Sequence, residues 1–466
     1  MVVVGGGIAG LAAAHRVTEL AAASGTPVRV TLLEATPRLG GTIASERVDG
    51  FLVESGADSF LTEKPWALEL CRRIGLEDRL IGTRDADRRT FVVRAGRLHA
   101  LPEGFLLLAP TRFAPLLRSP LFTWRGKLRM ALDLFLRRGP ADSDESLAAF
   151  VTRRLGREAL ERVAQPLLGG IYTGDPARLS VAATMPRLLE MERRHRSIIL
   201  AMRRQARVAA KSGSGARWSL FVSFADGMET LVRALAQRLP EGAVRLGARV
   251  AAIRPCAPRD FEVTIAGGER LRARGVIVAT HTYAAADLVR PFAADLATEL
   301  ATIPYASSAT VTLGYARADV PHALDGFGLV VPAIEGRRLI ACSFSSVKYA
   351  GRAPQGAVLL RVFCGGALAA AMAERTDTEL VDAARDELYA LLGIVAPPRL
   401  VRVHRHARAM PQYHVGHLAR LVTIDAAVAH HPGLALAGNA YRGVGVPDCV
   451  HSGETAAERL LARGGA

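Results

Sequence analysis

The sequence predicts an α/β and α+β protein: a Rossmann-like nucleotide-binding domain, a mixed-sheet second domain and a helical insertion. Three observations carry this. The chain opens VVVGGGIAGL, residues 2–11, a β-branched run followed by glycines. Strand-like stretches fill 218–280, and a mixed β and α pattern runs over 282–419. Between them and the start, residues 103–214 read as mostly helical and basic. At 466 residues, half of them hydrophobic and 22% charged, the chain is globular and too long for one core.

In order, VVV at 2–4 is a short strand. Gly5, Gly7 and Gly10 then give G-x-G-x-x-G ahead of IAGLAAAHRVTELAAAS, a helix that GTP at 25–27 ends. One glycine makes a tight turn, one lets a pyrophosphate approach the backbone, and one lets helix and strand pack closely. The helix N-terminus offers its free N–H groups to the phosphates. VRVTLLEA at 28–35 reads as a second, buried parallel strand ending in Glu34, placed to bind a ribose of the dinucleotide. A secretory signal would carry a basic segment ahead of its apolar core and gain nothing from these glycines or Glu34.

Further on, 65–82 reads as helical and 91–102 as a strand hairpin. KSGSG at 211–215 reads as a linker, and WSLFVSF, ARVAAI, FEVTIAG and GVIVAT as strands. The last segment, from Leu434, reads strand, glycine-rich loop, helix.

Composition excludes several classes. No stretch approaches the roughly 18–20 apolar residues of a membrane-crossing helix. The five cysteines are odd in number and form no C-x-x-C, so neither a disulfide scaffold nor a thiolate zinc site is expected, and a reducing cytoplasm fits. His404-x-His406 and His414-x-x-His417 lack carboxylate or cysteine partners at ligand spacing, so no metal is expected. The net charge of +16 comes almost wholly from arginine, since the lysines are Lys64, Lys127, Lys211 and Lys348 alone. Basic residues concentrate at 112–138 and 187–217, interspersed with apolar ones as in FTWRGKLRMALDLFLRR, the composition of an amphipathic helix lying on an anionic bilayer. No nucleic-acid motif accompanies them, so nucleic acid is not an expected partner.

The stretch Glu34-x-x-x-Arg38-Leu39-Gly40-Gly41 resembles the flavin-binding signature of the amine oxidase, phytoene desaturase and protoporphyrinogen oxidase superfamily. GNAYRGVGVPDCV at 438–450 is similar to the segment that closes over its flavin. ESGADSF at 54–60, GGIYTGDPARLSVAATMP at 169–186, GFGLVVP at 326–332 and PQYHVGHL at 411–418 resemble stretches of the bacterial, oxygen-dependent porphyrinogen oxidases. The resemblance runs the length of the chain.

It implies non-covalent FAD held by Gly5, Gly7, Gly10, Glu34, Arg38, Gly40, Gly41, Val250, Gly438, Gly445 and Val446. It implies a porphyrinogen held by Leu167, Gly170, Phe327, Val330 and Phe363, with an arginine for a propionate. Thr90 stands where family members carry that arginine, which makes the neighbouring Arg89 the candidate. No side chain is assigned as acid or base. The implied reaction takes protoporphyrinogen IX to protoporphyrin IX in three flavin cycles, with dioxygen as acceptor and hydrogen peroxide as product. Coproporphyrinogen III oxidation, or an amine oxidase or carotenoid desaturase activity, are the alternatives.

The expected layout is a discontinuous FAD-binding domain from 1–64, 215–281 and 420–466, a substrate domain from 65–100 and 282–419, and a membrane-docking helical insertion at 101–214. The setting implied is the cytoplasmic face of the inner membrane, as a peripheral protein. A homodimer and hand-over of product to ferrochelatase complete the expectations.

Overall fold

In the computed structural model, residues 1–84, 88–106, 108–139, 144–211 and 219–464 are described. Apart from Lys211, the KSGSG linker lies outside them.

The opening run forms the strand Val2–Val4, central in a five-stranded parallel sheet. Its neighbours are Thr31–Leu33 and Val276–Val278, with Val244–Arg245 and Leu434–Leu436 at the edges. Val2, Val3 and Val4 are all buried, as a strand covered on both faces requires. Helix Ile8–Ser24 covers one face and packs along the C-terminal helix Val446–Gly464. Gly453 on that helix permits the contact, since a Cβ there would lie 2.1 Å from the Ala9 carbonyl oxygen. Helices Thr282–Val289 and Ala294–Ala301 contribute to the apolar core on the other side.

A seven-stranded mixed sheet forms the second layer. Its order is Leu400–Pro411, Tyr305–Ala316, Ala357–Gly365, Ala341–Phe344, Gly328–Val330, Thr90–Arg94 and Arg97–Ala100. Only the pair Gly328–Val330 with Thr90–Arg94 is parallel; the others are antiparallel. One face packs on helix Asp377–Leu392, and the other meets the helical region that starts after residue 112.

The packing redraws two expected boundaries. Helix Trp66–Arg73 buries Ala67, Leu68, Leu70 and Cys71 in the same core as Leu11 and Ile277, so it sits with the parallel sheet rather than the substrate domain. Residues 282–303 do likewise, through Ala285, Val289, Leu296 and Leu300 packed with Val2, Val4 and Val278. Apolar periodicity marks a buried face without saying which sheet covers it.

The insertion also departs from a single amphipathic surface helix. Helix Trp124–Ala131 gives way to a 3-10 turn, Leu132–Leu134, because Asp133 turns inward. Asp133 and Arg154 are fully buried and paired. Asp133 also accepts from Ser197 Oγ (2.6 Å) and the Ile199 N–H (3.0 Å), which caps helix Ile198–Lys211. Arg154 donates to the carbonyls of Arg137 (3.0 Å) and Arg196 (2.6 Å). Lys127 is buried too, its Nζ on the Leu117 carbonyl at 2.7 Å. Two of the charges in the basic run are therefore interior fasteners.

Candidate flavin and substrate site

The three motif glycines face different surroundings. A Cβ on Gly10 would lie 1.9 Å from the Gly5 carbonyl oxygen, and one on Gly5 would lie 2.6 Å from that of Ala279. These two let helix and strands close up. A Cβ on Gly7 would meet nothing within 4 Å. Gly7 is also the N-cap of Ile8–Ser24, with no side chain bonding to the helix end, so its N–H groups face open space.

Gly40 and Gly41 meet this turn. Gly7 and Gly40 form a parallel bridge, and the Gly40 N–H donates to Gly6 O at 2.8 Å. A Cβ on Gly41 would touch only Gly7 Cα, at 3.4 Å. Arg38 clamps this loop by donating to the carbonyls of Leu39, Gly41 and Ile43. Glu34 accepts from the N–H groups of Gly6 (2.6 Å) and Thr36 (2.8 Å). The Ala248 N–H donates to Glu34 O at 2.8 Å, which brings Val250 to this end of the crevice. At the other end Gly438 has open space where a Cβ would point, and Gly445 and Val446 lead into the C-terminal helix. Open space at Gly7 with a helix N-terminus facing it fits the pyrophosphate of a dinucleotide; filling it with a side chain would remove the fit.

The loop at 438–446 is clamped by PQYHVGH. The Tyr413 hydroxyl donates to the Asn439 carbonyl and accepts from the Gly443 N–H at 2.9 Å. His417 Nε2 lies 2.9 Å from the Tyr441 carbonyl, so it is the protonated nitrogen of that ring. Tyr413 and His417 stack at 4.1 Å. Burial pushes the Tyr413 hydroxyl well up and the His417 imidazole down, which keeps both uncharged. His417 thus fastens a loop, and among the described residues no group of three His, Cys, Asp or Glu could hold a metal ion.

The apolar wall comes from the sheet. Val92, Val330, Ala341 and Phe363 are paired across four adjacent strands and so share a face. Val330 and Ala341 lie in one apolar cluster, against which Leu167, Phe363 and Val444 pack. Val444 belongs to the clamped loop, so the expected substrate wall and the flavin-side loop are contiguous. Gly170 lies one helical turn from Leu167 on Gln165–Tyr172, with open space beside it.

Two expected substrate residues are not brought to this cluster. Phe327 precedes its strand and is outside the cluster; its N–H donates to Arg89 O at 2.8 Å. The Arg89 side chain is 64% exposed and paired with Asp325 at 2.6 Å.

The structure adds two charged groups that motif reading missed. Lys64 Nζ lies 2.7 and 2.8 Å from the two Asp448 oxygens, and Asp448 also accepts from the Gly445 N–H at 3.2 Å, in the first turn of the C-terminal helix. The second is Asp58, inside ESGADSF. Burial alone would raise it, but Lys348, 3.3 Å away, and Arg361 outweigh that and hold it at about 2. Arg361 donates to Ser55 O at 2.8 Å and lies 5.0 Å from the Phe363 ring, tying that turn to the wall. The signal was rarity: only four of the 60 basic side chains are lysines, and two of them make these pairs.

The crevice and fold define a flavoprotein. The chain matches the family described as flavin containing amine oxidoreductase over residues 8–461. It is 33% identical to the coproporphyrinogen III oxidase of Bacillus subtilis, over 99% of this chain and 97% of that protein. It is 34% identical to that of Propionibacterium freudenreichii (99% and 90%) and 33% identical to the protoporphyrinogen oxidase of Bos taurus (99% and 98%). A crystal structure from Exiguobacterium sp. 255-15, provisionally named protoporphyrinogen oxidase, superposes with a TM-score of 0.87 at 31% identity, covering 99% and 98% of the two chains. A cyclohexylamine oxidase from Brevibacterium oxydans shares the fold alone, at 17% identity and a TM-score of 0.70. The chain belongs to the FAD-dependent amine oxidoreductase family, in its porphyrinogen oxidase branch. Its cofactor is FAD.

Proposed function

We propose that this protein oxidises coproporphyrinogen III to coproporphyrin III with dioxygen, at the cytoplasmic surface of the inner membrane. The observation that carries the reading is the contiguity of the clamped flavin loop with the apolar face of Val330, Phe363 and Leu167. FAD, when bound, supplies a two-electron oxidation. Three such turnovers remove the six hydrogens that separate porphyrinogen from porphyrin, and three dioxygen molecules leave as hydrogen peroxide.

The chain's own residues hold and enclose. Leu167, Val330 and Phe363 offer a flat apolar surface to the macrocycle and exclude water from it. His406 and His417 spend their Nε2 protons on the carbonyls of Ser55 and Tyr441, so neither is assigned as an acid or base.

The sequence alone put protoporphyrinogen IX first. Two bacterial relatives named for coproporphyrinogen III, matched over nearly their whole length, support the other order. The bovine relative keeps protoporphyrinogen IX as the second reading. Aerobic turnover of both macrocycles decides: kcat/KM is expected to be higher for coproporphyrinogen III, with three peroxides formed per porphyrin. A preference for protoporphyrinogen IX would reverse the substrate, and turnover unaffected by removing oxygen would overturn the acceptor.

Docking is assigned to the insertion. Trp124, Leu128 and Leu132 recur every four residues and are exposed, as is Phe135 at 74%. Arg118, Arg125, Arg137 and Arg138 flank them and are exposed as well. That combination suits shallow insertion among anionic headgroups; among the described residues no helix is long and apolar enough to cross a membrane. The protein is expected to float with anionic vesicles at low salt. Replacing Trp124 and Phe135 together by serine should lower the bound fraction roughly tenfold, given the apolar area removed. Failure of the unaltered protein to float would refute docking.

A further inference from the structure

Ala9 of helix Ile8–Ser24 faces Gly453 of helix Val446–Gly464, and Arg16 pairs with Glu458, so the two helices run parallel. Val446 lies seven residues before Gly453, whereas Gly7 lies only two before Ala9. At about 1.5 Å per residue, the second N-terminus reaches roughly 7 Å beyond the first. With the pyrophosphate at Gly7 and a ribose at Glu34, the flavin half of the dinucleotide extends the other way, toward Gly438 and the clamped loop. There it meets the N-terminus of Val446–Gly464, which carries a partial positive charge of about half a unit.

Asp448 stands in the first turn of that helix, with 7% of its side chain exposed. It lies against the loop backbone: a Cβ on Gly443 would fall 2.2 Å from its Cγ, and the Gly445 N–H donates to its Oδ2. It also faces the substrate helix, where burial first and then the Asp448 charge push the Tyr172 hydroxyl up. Alone, this carboxylate would cancel the positive helix end. A flavin gains negative charge on reduction, so an unpaired carboxylate here would oppose that step. Lys64 removes the penalty by donating to both carboxylate oxygens, at 2.7 and 2.8 Å. The lysine is held in place from both sides. Glu63 pairs with Arg187 at 3.1 Å, and the Trp66 ring stacks on His451 of the same C-terminal helix at 4.1 Å.

We propose that Lys64 is a positioning residue for flavin reduction, acting through Asp448. The neutral pair leaves the helix N-terminus positive toward the flavin and so holds the FAD reduction potential up. The inference rests on the FAD site and not on the choice of macrocycle.

Anaerobic reduction of the purified FAD-loaded protein against a reference dye measures that potential without any macrocycle, so its outcome is independent of the substrate. Lys64→Met should make two-electron reduction about tenfold less favourable, a potential about 30 mV lower. Asp448→Asn should shift it the opposite way, because the Lys64 charge is then unbalanced. The double variant should return close to the parent, and Lys64→Arg, which keeps the charge, should match it. The opposed signs separate charge from structure, since losing a merely structural tie would move both single variants alike or neither. Should Lys64→Met fail to fold, Lys64→Gln, which keeps a donor for Asp448, carries the same prediction against Asp448→Asn. Equal potentials in all variants, shifts of one sign in both single variants, or loss of FAD from the folded lysine variant would each overturn the assignment.

Discussion

Gly7→Val is expected to give a folded protein that purifies without its yellow colour. The Gly7 Cβ direction points into open space, and its φ of −70° suits any residue, so the apoprotein has nothing to resist the substitution. That space is where the pyrophosphate must approach the helix N-terminus. FAD affinity should fall about 100-fold or more, equivalent to about 3 kcal/mol. Gly10→Ala should fail differently. Its Cβ would lie 1.9 Å from the Gly5 carbonyl oxygen, in the turn that joins the strand Val2–Val4 to this helix, so the helix must move away from that turn. A cost of about 3 kcal/mol or more in folding stability follows from such overpacking. Flavin content and denaturant midpoints separate the two. If Gly7→Val keeps a full complement of FAD, the crevice is misassigned.

Asp133→Ala should be the most damaging single change in the insertion. It leaves Arg154 charged and fully buried with the more distant Glu192, at 3.4 Å, as its carboxylate, and it uncaps helix Ile198–Lys211 at Ser197 and Ile199. Removing one partner of a buried pair costs about 3–5 kcal/mol. The double variant Asp133→Leu with Arg154→Met should recover much of the loss, because no unpaired charge then remains. Urea unfolding reads both, and a single variant within about 1 kcal/mol of the parent would contradict the fastener role. Limited proteolysis should place new cleavage within the insertion, where unfolding begins.

The contrast between these two sites explains what was legible beforehand. Gly5, Gly7 and Gly10 could be read because their spacing encodes a local geometry, and Glu34 because the next parallel strand must end beside them. Lys127 was read with the basic surface run, although it is buried, because composition records sign and not depth. Helices Trp66–Arg73 and Thr282–Val289 were set on the wrong side of a boundary for a related reason: their apolar faces suit either sheet. The Lys64–Asp448 pair spans 384 positions, so no local pattern could announce it. PQYHVGH was noticed as a motif, yet its physical task, holding the loop at 439–443 by hydrogen bonds from two rings, emerges only once the strand and loop lie together.

The central claim is that electrons pass from a porphyrinogen to this protein's flavin. Anaerobic mixing of the purified yellow protein with coproporphyrinogen III, and separately with protoporphyrinogen IX, while following the flavin's visible absorbance, tests it directly. Bleaching by at least one macrocycle, with porphyrin fluorescence rising in step, is the predicted result. A flavin that stays oxidised in the presence of both would contradict the account.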